Sequence, residues 1–172
     1  LYLTKSLGIG IITTAQKKGL VQQPHYQQAV QSMLKLNTLG AEISSLPYVN
    51  ALTDVTGFGL LGHLTEVCEG SNVSAEINFD AVPVFDFLKR YIDQKCIPGG
   101  TTRNWDSYGH KISTITDYQK AVLADPQTSG GLLVAVNEDR AADFETFTEA
   151  LGFNLKPLGK LVTRQENLIT VN

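Results

Sequence analysis

An aspartate stands directly before a glycine-rich turn in the segment 53–64, which reads TDVTGFGLLGHL. Carboxylates are common ligands of Mg²⁺, which usually combines one or two of them with substrate oxygens. Glycines at a turn let backbone amides come close to a phosphate. The pattern therefore predicts that Asp54 binds a metal ion and that the turn at Gly57 approaches a nucleotide. From the pattern alone, a purely structural role of Asp54, as an ordinary helix cap or strand-end turn residue, is the more common use of an aspartate.

The same segment contains a literal G-x-G-x-x-G from Gly57 to Gly62, with Asp80 at about the spacing of a ribose-binding acid. A dinucleotide site of this kind would place a pyrophosphate at the start of the following helix. Asp54 would then lie beside the pyrophosphate, where like charges a few Å apart repel by about 1 kcal/mol even in water. A divalent cation between the two removes this conflict, so we favour the metal site over the dinucleotide site.

The segment 98–104 reads PGGTTRN and is rich in backbone amides, hydroxyls and one guanidinium. Successive amides in a glycine turn can form an anion-binding nest. The surrounding residues 97–110 show no regular period and predict a long loop, of the kind that is often functional. A flexible surface turn is an equally good interpretation of the same residues.

The segment 125–131 reads DPQTSGG and resembles a phosphate-binding turn in composition. It lacks the lysine of a P-loop, and a tight turn that needs glycine is at least as good an interpretation. Cys68 lies on an apolar helix face and is interpreted as a core residue. Cys96, before the glycine segment, is expected to be more accessible, but no motif marks it as a nucleophile. His63 is interpreted as a packing or surface histidine.

The composition limits the classes of function. The chain has 172 residues, 42% hydrophobic residues and a formal net charge of -3. This charge argues against a nucleic-acid partner or an anionic membrane surface, which would both require a positive field. Two cysteines without a C-x-x-C pair favour a reducing, cytoplasmic setting. The chain starts at Leu1 rather than at a methionine, and its first residues resemble the middle of a longer sequence. We therefore expect a fragment of a longer protein.

Hydrophobic periodicity predicts alternating strands and helices. We expect one domain over residues 1–172, of the α+β class, in which a mixed β-sheet is flanked by helices. Strands are predicted at 7–13, 49–53, 73–79, 132–136, 157–162 and 167–171. Helices are predicted at 24–39, 60–70, 84–92, 116–123 and 138–151, with glycines 40, 70 and 152 as helix stops.

Four segments, in this order, resemble the C-terminal half of the selenophosphate synthetase (selenide, water dikinase) family. They are LTKSLGIGIITTA at 3–15, TDVTGFGLLGHL at 53–64, PGGTTRN at 98–104 and DPQTSGGLL at 125–133. The resemblance covers almost the whole chain. It also extends more loosely to relatives of the aminoimidazole ribonucleotide synthetase-like superfamily, which share the glycine turn after the aspartate.

The resemblance implies a fold, an activity and partners. The fold would be the α/β sandwich of the C-terminal domain in that superfamily. The family makes selenophosphate from selenide, ATP and water, and it releases AMP and phosphate. Its subunits form a homodimer through N-terminal halves, which carry the reactive Cys or selenocysteine, a neighbouring Lys and several metal-binding aspartates. The N-terminal half would therefore be a partner of this chain, and the chain alone would be inactive.

The resemblance also implies roles for particular residues, and it places no catalytic residue in this chain. Asp54 matches a Mg²⁺-coordinating aspartate. The residues expected to bind nucleotide or phosphate are Thr56, Gly57, Gly99, Gly100, Thr101 and Asn104.

Two other functions remain open at this stage. One is another ATP-dependent synthetase of the same superfamily, acting on a ribonucleotide or a carbamoyl group. The other is a non-catalytic module that binds a partner.

Overall fold

The computed structural model describes residues 1–172, with eight α-helices, six strands and three short 3-10 turns. The helices are α1 Ile9–Lys17, α2 Gln23–Leu34, α3 Leu39–Ile43, α4 Gly59–Ser71, α5 Leu88–Asp93, α6 Gly99–Tyr108, α7 Asp117–Leu123 and α8 Ala141–Ala150. The strands are β1 Tyr2–Leu3, β2 Val49–Asp54, β3 Val73–Ile77, β4 Leu132–Val136, β5 Gly159–Thr163 and β6 Ile169–Val171.

The strands form two separate three-stranded sheets. In the first sheet β4 lies between β1 and β2, and both pairings are antiparallel. In the second sheet β3 lies between β5 and β6, antiparallel to β5 and parallel to β6. The α+β class is confirmed, but the expected single mixed sheet is wrong. Apolar patterns locate strands, and they do not determine which strands pair.

Strand β4 separates two hydrophobic cores. Leu133 and Ala135 belong to the larger core, which α1 and α4 also fill. Leu132 and Val134 face a smaller core around Phe144 of α8. Successive side chains of a strand point to opposite faces, so a strand that is covered on both sides is apolar without interruption. The predicted buried strand at 132–136 is confirmed.

The segment 7–13 was expected to be a strand, and this is wrong. Gly8 has a φ of 124°, a conformation that favours glycine, and α1 starts at the next residue. The buried residues Ile9, Ile12 and Ala15 lie at helical spacing. A short apolar run fits both a strand and a buried helix, and its length alone did not distinguish them.

The predicted loop at 97–110 is also wrong, because residues 99–108 form α6. Its sequence, GGTTRNWDSY, is poor in residues with high helix propensity. Two side chains of α6 are instead held by tertiary hydrogen bonds, from Asn104 and from Tyr108. Helix propensity is a weak preference that such contacts override.

Several helix ends differ from the prediction. The helix expected at 24–39 ends at Leu34, and Gly40 lies inside α3 instead of closing α2. Helix α4 passes Gly70 and ends at Ser71, and the next residue, Asn72, adopts the left-handed conformation that often terminates helices. Of the helix expected at 84–92, only α5 forms.

The remaining predictions are confirmed within a few residues. They concern β2, β3, α7, β5 and β6, although residue 79 lies in a 3-10 turn instead of β3. The helix expected at 138–151 is α8 preceded by a 3-10 turn at 138–140, and Gly152 follows it with a φ of 83°. No helix is both long and apolar enough to cross a bilayer.

Both cysteines are buried. Cys68 lies in the larger core, and burial raises the pKa of its thiol to about 11. This confirms its interpretation as a core residue. Cys96 is buried as well, so the expectation that it is accessible is wrong.

The turn at 125–131 depends on close backbone packing. A Cβ added to Gly130 would overlap the carbonyl oxygen of Val55, which directly follows β2. A Cβ added to Gly131 would overlap the backbone nitrogen of Lys5. The two glycines therefore allow the turn to lie against the chain segments at 4–5 and 55. The interpretation as a turn that needs glycine is supported, although the reason is close approach rather than positive φ.

Gly130→Ala is expected to destabilise the protein by about 1–3 kcal/mol, because the methyl group forces the turn away from Val55. Urea unfolding monitored by circular dichroism measures this. The matched control is Gly70→Ala in α4, where an added Cβ meets no atom within 4 Å. The control should stabilise the protein by roughly 0.5–1 kcal/mol, since alanine favours a helix. An unchanged urea midpoint for Gly130→Ala would contradict this account of the turn.

Candidate functional site

Two buried side chains of the 125–131 turn cap the first turn of α1. Gln127 accepts hydrogen bonds from the backbone N–H groups of Gly8 and Ile9, at 3.2 and 3.3 Å. Asp125 accepts one from the N–H of Gly10 at 2.9 Å. The side-chain amide of Gln127 also donates to Asp125 at 2.9 Å. These contacts satisfy N–H groups that the start of a helix leaves without partners.

The buried side chain of Asn104 joins α6 to two other segments. Its amide nitrogen donates to the carbonyl oxygen of Gly57 at 2.9 Å and to that of Ala124 at 3.0 Å. The backbone N–H of Gln127 donates to the carbonyl of Thr56 at 3.0 Å. Asp125, Gln127 and Asn104, here called the buried polar cluster, therefore hold α1, α6 and the turn after β2 together.

A cleft of about 640 Å³ lies between these segments. Its lining consists mainly of glycine, proline and polar residues: Gly10, Thr13, Thr14, Lys17, Gly57, Phe58, Ile97, Pro98, Gly99, Gly100, Arg103, Asn104, Pro126 and Thr128. All three segments that the sequence singled out thus contribute to one concave surface. A second cleft, of about 450 Å³ beside Tyr2 and Asn50, contains none of the predicted site residues.

The structure brings four of the predicted site residues together in the cleft: Gly57, Gly99, Gly100 and Asn104. An added Cβ at Gly57 would meet no atom within 4 Å, so this wall of the cleft is open backbone. At Gly100 a Cβ would lie 2.9 Å from Pro126, so this glycine also permits α6 to pack against the 125–131 turn.

Thr56 and Thr101 do not line the cleft. The hydroxyl of Thr56 lies 3.2 Å from Nε2 of His63, whose Nδ1 is 3.0 Å from a carboxylate oxygen of Glu66. The imidazole of His63 is nearly buried and links these two groups. Thr101 is buried, and its hydroxyl has no hydrogen-bond partner. Binding roles for the two threonines remain predictions.

Asp54 is the last residue of β2, and its carboxylate is exposed. It forms no ion pair, and none of its carboxylate oxygens accepts a hydrogen bond within the chain. No group of three acidic, histidine or cysteine side chains is placed to hold a metal ion. A free carboxylate fits one position of a Mg²⁺ site, in which substrate oxygens or other ligands supply the rest. A metal role for Asp54 remains a prediction, and such a site would need further ligands from outside the chain.

Sequence reasoning did not assign a site role to Thr13, Thr14, Lys17 or Thr128, and it noted Arg103 only as a nearby charge. The first three lie on one face of α1, at spacings of three and four residues. This signal was hidden because residues 7–13 were expected to be a strand and residues 14–17 were assigned to no element, so their helical spacing was not considered. A helical interpretation of the same residues would have revealed it.

The electrostatics of the cleft depend in part on Asp125, whose buried carboxyl accepts a hydrogen bond from Gly10 of the cleft lining. Burial raises the pKa of the Asp125 carboxyl to about 7, although hydrogen bonds from Gln127 and Gly10 oppose the rise. One of its oxygens has no partner. A large share of Asp125 is therefore uncharged near neutral pH, and the cleft is less negative than the sequence suggests.

Comparison with known proteins adds two kinds of finding. The profile of the family described as AIR synthase related protein, C-terminal domain, matches residues 1–172. Proteins named selenide, water dikinase are similar along nearly the whole chain. One from Aeromonas hydrophila is 52% identical over 167 residues, which are 97% of this chain and 48% of that protein. One from Pseudomonas putida is 53% identical over 171 residues, 99% of this chain and 50% of that protein.

The chain thus spans about half the length of the curated relatives that it matches. Solved structures share the fold at low sequence identity. Thiamine-monophosphate kinase from Stenotrophomonas maltophilia matches with a TM-score of 0.66 at 16% identity, over 99% of this chain and 49% of that one. The hydrogenase maturation protein HypE from E. coli matches with a TM-score of 0.64 at 18% identity, over 95% and 43%.

The raised pKa of Asp125 predicts a pH dependence of stability. Between its ordinary value of 3.8 and about 7 the folded chain binds a proton that the unfolded chain releases. The contribution of Asp125 to the free energy of unfolding should therefore be highest below pH 4. It should fall by up to about 4 kcal/mol as the pH rises through 7.

Asp125→Asn imitates the protonated carboxyl and should abolish this contribution. Urea unfolding of both proteins at pH 5 and pH 8 measures it. The wild type should lose more stability than the variant between these two values. An equal loss in both proteins would show that Asp125 does not titrate differently on folding.

Proposed function

The chain belongs to the AIR synthase related family, and we propose that it is the C-terminal half of a selenide, water dikinase. Such an enzyme makes selenophosphate from selenide, ATP and water and releases AMP and phosphate. The proposal rests mainly on one observation, the similarity along nearly the whole chain to half of proteins that carry this name.

The geometry supports a phosphate-binding role for the cleft. The turn at Gly57, the start of α6 and the 125–131 turn come together there, although they are far apart in the sequence. Glycines at these places leave backbone N–H groups accessible to an anion. Transfer of a phosphoryl group needs mainly positioning and charge stabilisation, which such a surface provides.

Asn104 and the rest of the buried polar cluster have a positioning role in this proposal. Both amide protons of Asn104 are used by the carbonyl oxygens of Gly57 and Ala124. Its remaining amide oxygen would repel a phosphate, because both are electronegative. Asn104 thus fixes the distance between α6 and the glycine turn, and the backbone amides contact the substrate.

Asp54 would hold Mg²⁺ together with groups from outside this chain. Bound Mg²⁺ would neutralise phosphate charge and orient the phosphates for transfer. The chain contains no group of three acidic, histidine or cysteine side chains that could hold a metal ion, which fits a site that a second domain completes. We therefore propose that the chain works with an N-terminal domain of its own protein, which supplies the remaining acidic ligands and the residues that react with selenide.

Further features of the whole protein follow from the same proposal. It would be a homodimer that assembles through the N-terminal halves, and it would act in the cytoplasm. The charge of -3 is consistent with small-molecule substrates and with no nucleic-acid or membrane partner.

The longer protein is expected to convert ATP to AMP and phosphate in the presence of selenide and Mg²⁺, and the 172-residue chain alone is expected to be inactive. Phosphorus NMR of both reaction mixtures measures this. Aminoimidazole precursors in place of selenide serve as the comparison substrate and should give no turnover. Turnover that depends on those precursors, or turnover by the chain alone, would refute the proposed function or the division of labour.

Asp54→Asn in the longer protein is expected to lower ATP turnover by at least about 100-fold, since a metal ligand is lost, and to leave the melting temperature unchanged. The exposed position of Asp54 makes this separation possible. Asp80→Asn is the matched control, because Asp80 is also exposed and free of ion pairs. Its turnover should equal that of the wild type. Full activity of Asp54→Asn would rule out the metal role, and a loss in Asp80→Asn would favour the dinucleotide type of site.

A further inference from the structure

The cleft is lined by two charged side chains, Lys17 and Arg103, and both are cationic. Neither forms an ion pair or a side-chain hydrogen bond within the chain. Many other cations of this chain have acidic partners. Six Lys or Arg side chains lie within 4.0 Å of a carboxylate: Lys89, Lys111, Lys120, Arg140, Lys156 and Lys160.

The chain has more acidic than basic residues, 17 against 14, and yet no acidic residue lines this cleft. Two like charges on one concave surface repel each other, and low-dielectric walls concentrate their field. An anion in the cleft removes this repulsion. The distribution of charge is thus typical of an anion site, and it differs from that of a solvated surface on which signs alternate.

The remaining polar groups of the cleft are mostly occupied. The hydroxyls of Thr13 and Thr14 both donate to the carbonyl oxygen of Gly10, at 3.1 and 2.8 Å. Both N–H groups of the Asn104 amide are used, as described above. Lys17 and Arg103 therefore supply most of the side-chain donors that are free to bind a ligand.

The two cations come from different elements, Lys17 from α1 and Arg103 from α6. Lys17 is the last residue of α1, whose start is fixed by the buried polar cluster. The guanidinium of Arg103 folds back over the first turn of α6, where its Nη1 is 3.3 Å from the position that a Cβ at Gly99 would take. Backbone N–H groups at a helix start add to the positive field.

We propose that Lys17 and Arg103 together bind a phosphoryl oxyanion in this cleft. Guanidinium groups pair with phosphate through two parallel hydrogen bonds, and a lysine acts as a point charge beside them. The identity of the anion rests on the proposed function. ATP, AMP, phosphate and selenophosphate all carry this group.

Calorimetry of the longer protein with inorganic phosphate, AMP and ATP tests the inference without need for selenide or turnover. Lys17→Gln and Arg103→Gln should each weaken the binding of at least one of these three anions by about 10-fold, because each substitution removes one charge-assisted contact. Binding should also weaken as the salt concentration rises. Weaker binding of inorganic phosphate by the variants identifies a small free anion as the ligand. Weaker binding of ATP or AMP, with unchanged binding of inorganic phosphate, identifies the phosphates of a nucleotide.

Lys18→Gln is the matched control, since it removes the same charge from the next residue of the chain. Lys18 donates to the carbonyl oxygen of Lys95 and does not line the cleft. Its affinity should equal that of the wild type. Arg103→Lys should recover only part of the affinity, because lysine lacks the two-pronged geometry.

The inference is overturned if Lys17→Gln and Arg103→Gln bind all three anions as the wild type does, or if Lys18→Gln weakens binding equally. The result is separable from the proposed function. If both variants weaken anion binding but the longer protein does not use selenide, the anion site is supported and the proposed activity is refuted. If the longer protein uses selenide but both variants bind the anion as the wild type does, the activity is supported and the anion site is refuted.

Discussion

The capping of α1 by Asp125 and Gln127 is the interaction on which the rest of the site depends. It joins residues more than 100 positions apart in the sequence, and it fixes the start of a helix whose first turn has no local cap. Helix α6 packs against the chain around the 125–131 turn as well. Asn104 of α6 donates to the carbonyl oxygen of Ala124, and Gly100 of α6 lies close to Pro126. Without this buried polar cluster, apolar packing alone would have to set the positions of α1 and α6 relative to the glycine turn after β2.

Such a cluster carries a cost, because buried polar groups are favourable only when they are fully paired. One oxygen of Asp125 lacks a partner, and burial raises the pKa of this carboxyl to about 7. The cluster adjoins the cleft, because Asn104 lines it and Asp125 accepts a hydrogen bond from Gly10 of the lining. The incompletely paired carboxyl therefore lies close to the surface that Lys17 and Arg103 also line.

The proposed division of labour between this chain and a second domain would account for two features of the chain. Asp54 has the chemistry of a metal ligand, but it is exposed and alone. The cleft is lined by two cations, but no Asp, Glu, His or Cys side chain lines it. Both features are expected of a surface that a second domain covers, and the chain's match to about half of its relatives' length agrees with this.

Sequence alone determined the family, and it singled out three segments that line one cleft in the structure. Long matched segments identify a family, because many residues are constrained together, and the strands at 49–53 and 132–136 were evident from local apolar patterns. Tertiary structure decided the rest. Residues 9–17 and 99–108 are helices because contacts with distant residues fix them, and local propensity is too weak to do so. The pairing of strands into two sheets, and the meeting of Lys17 with Arg103 in one cleft, likewise depend on long-range packing that no local pattern records.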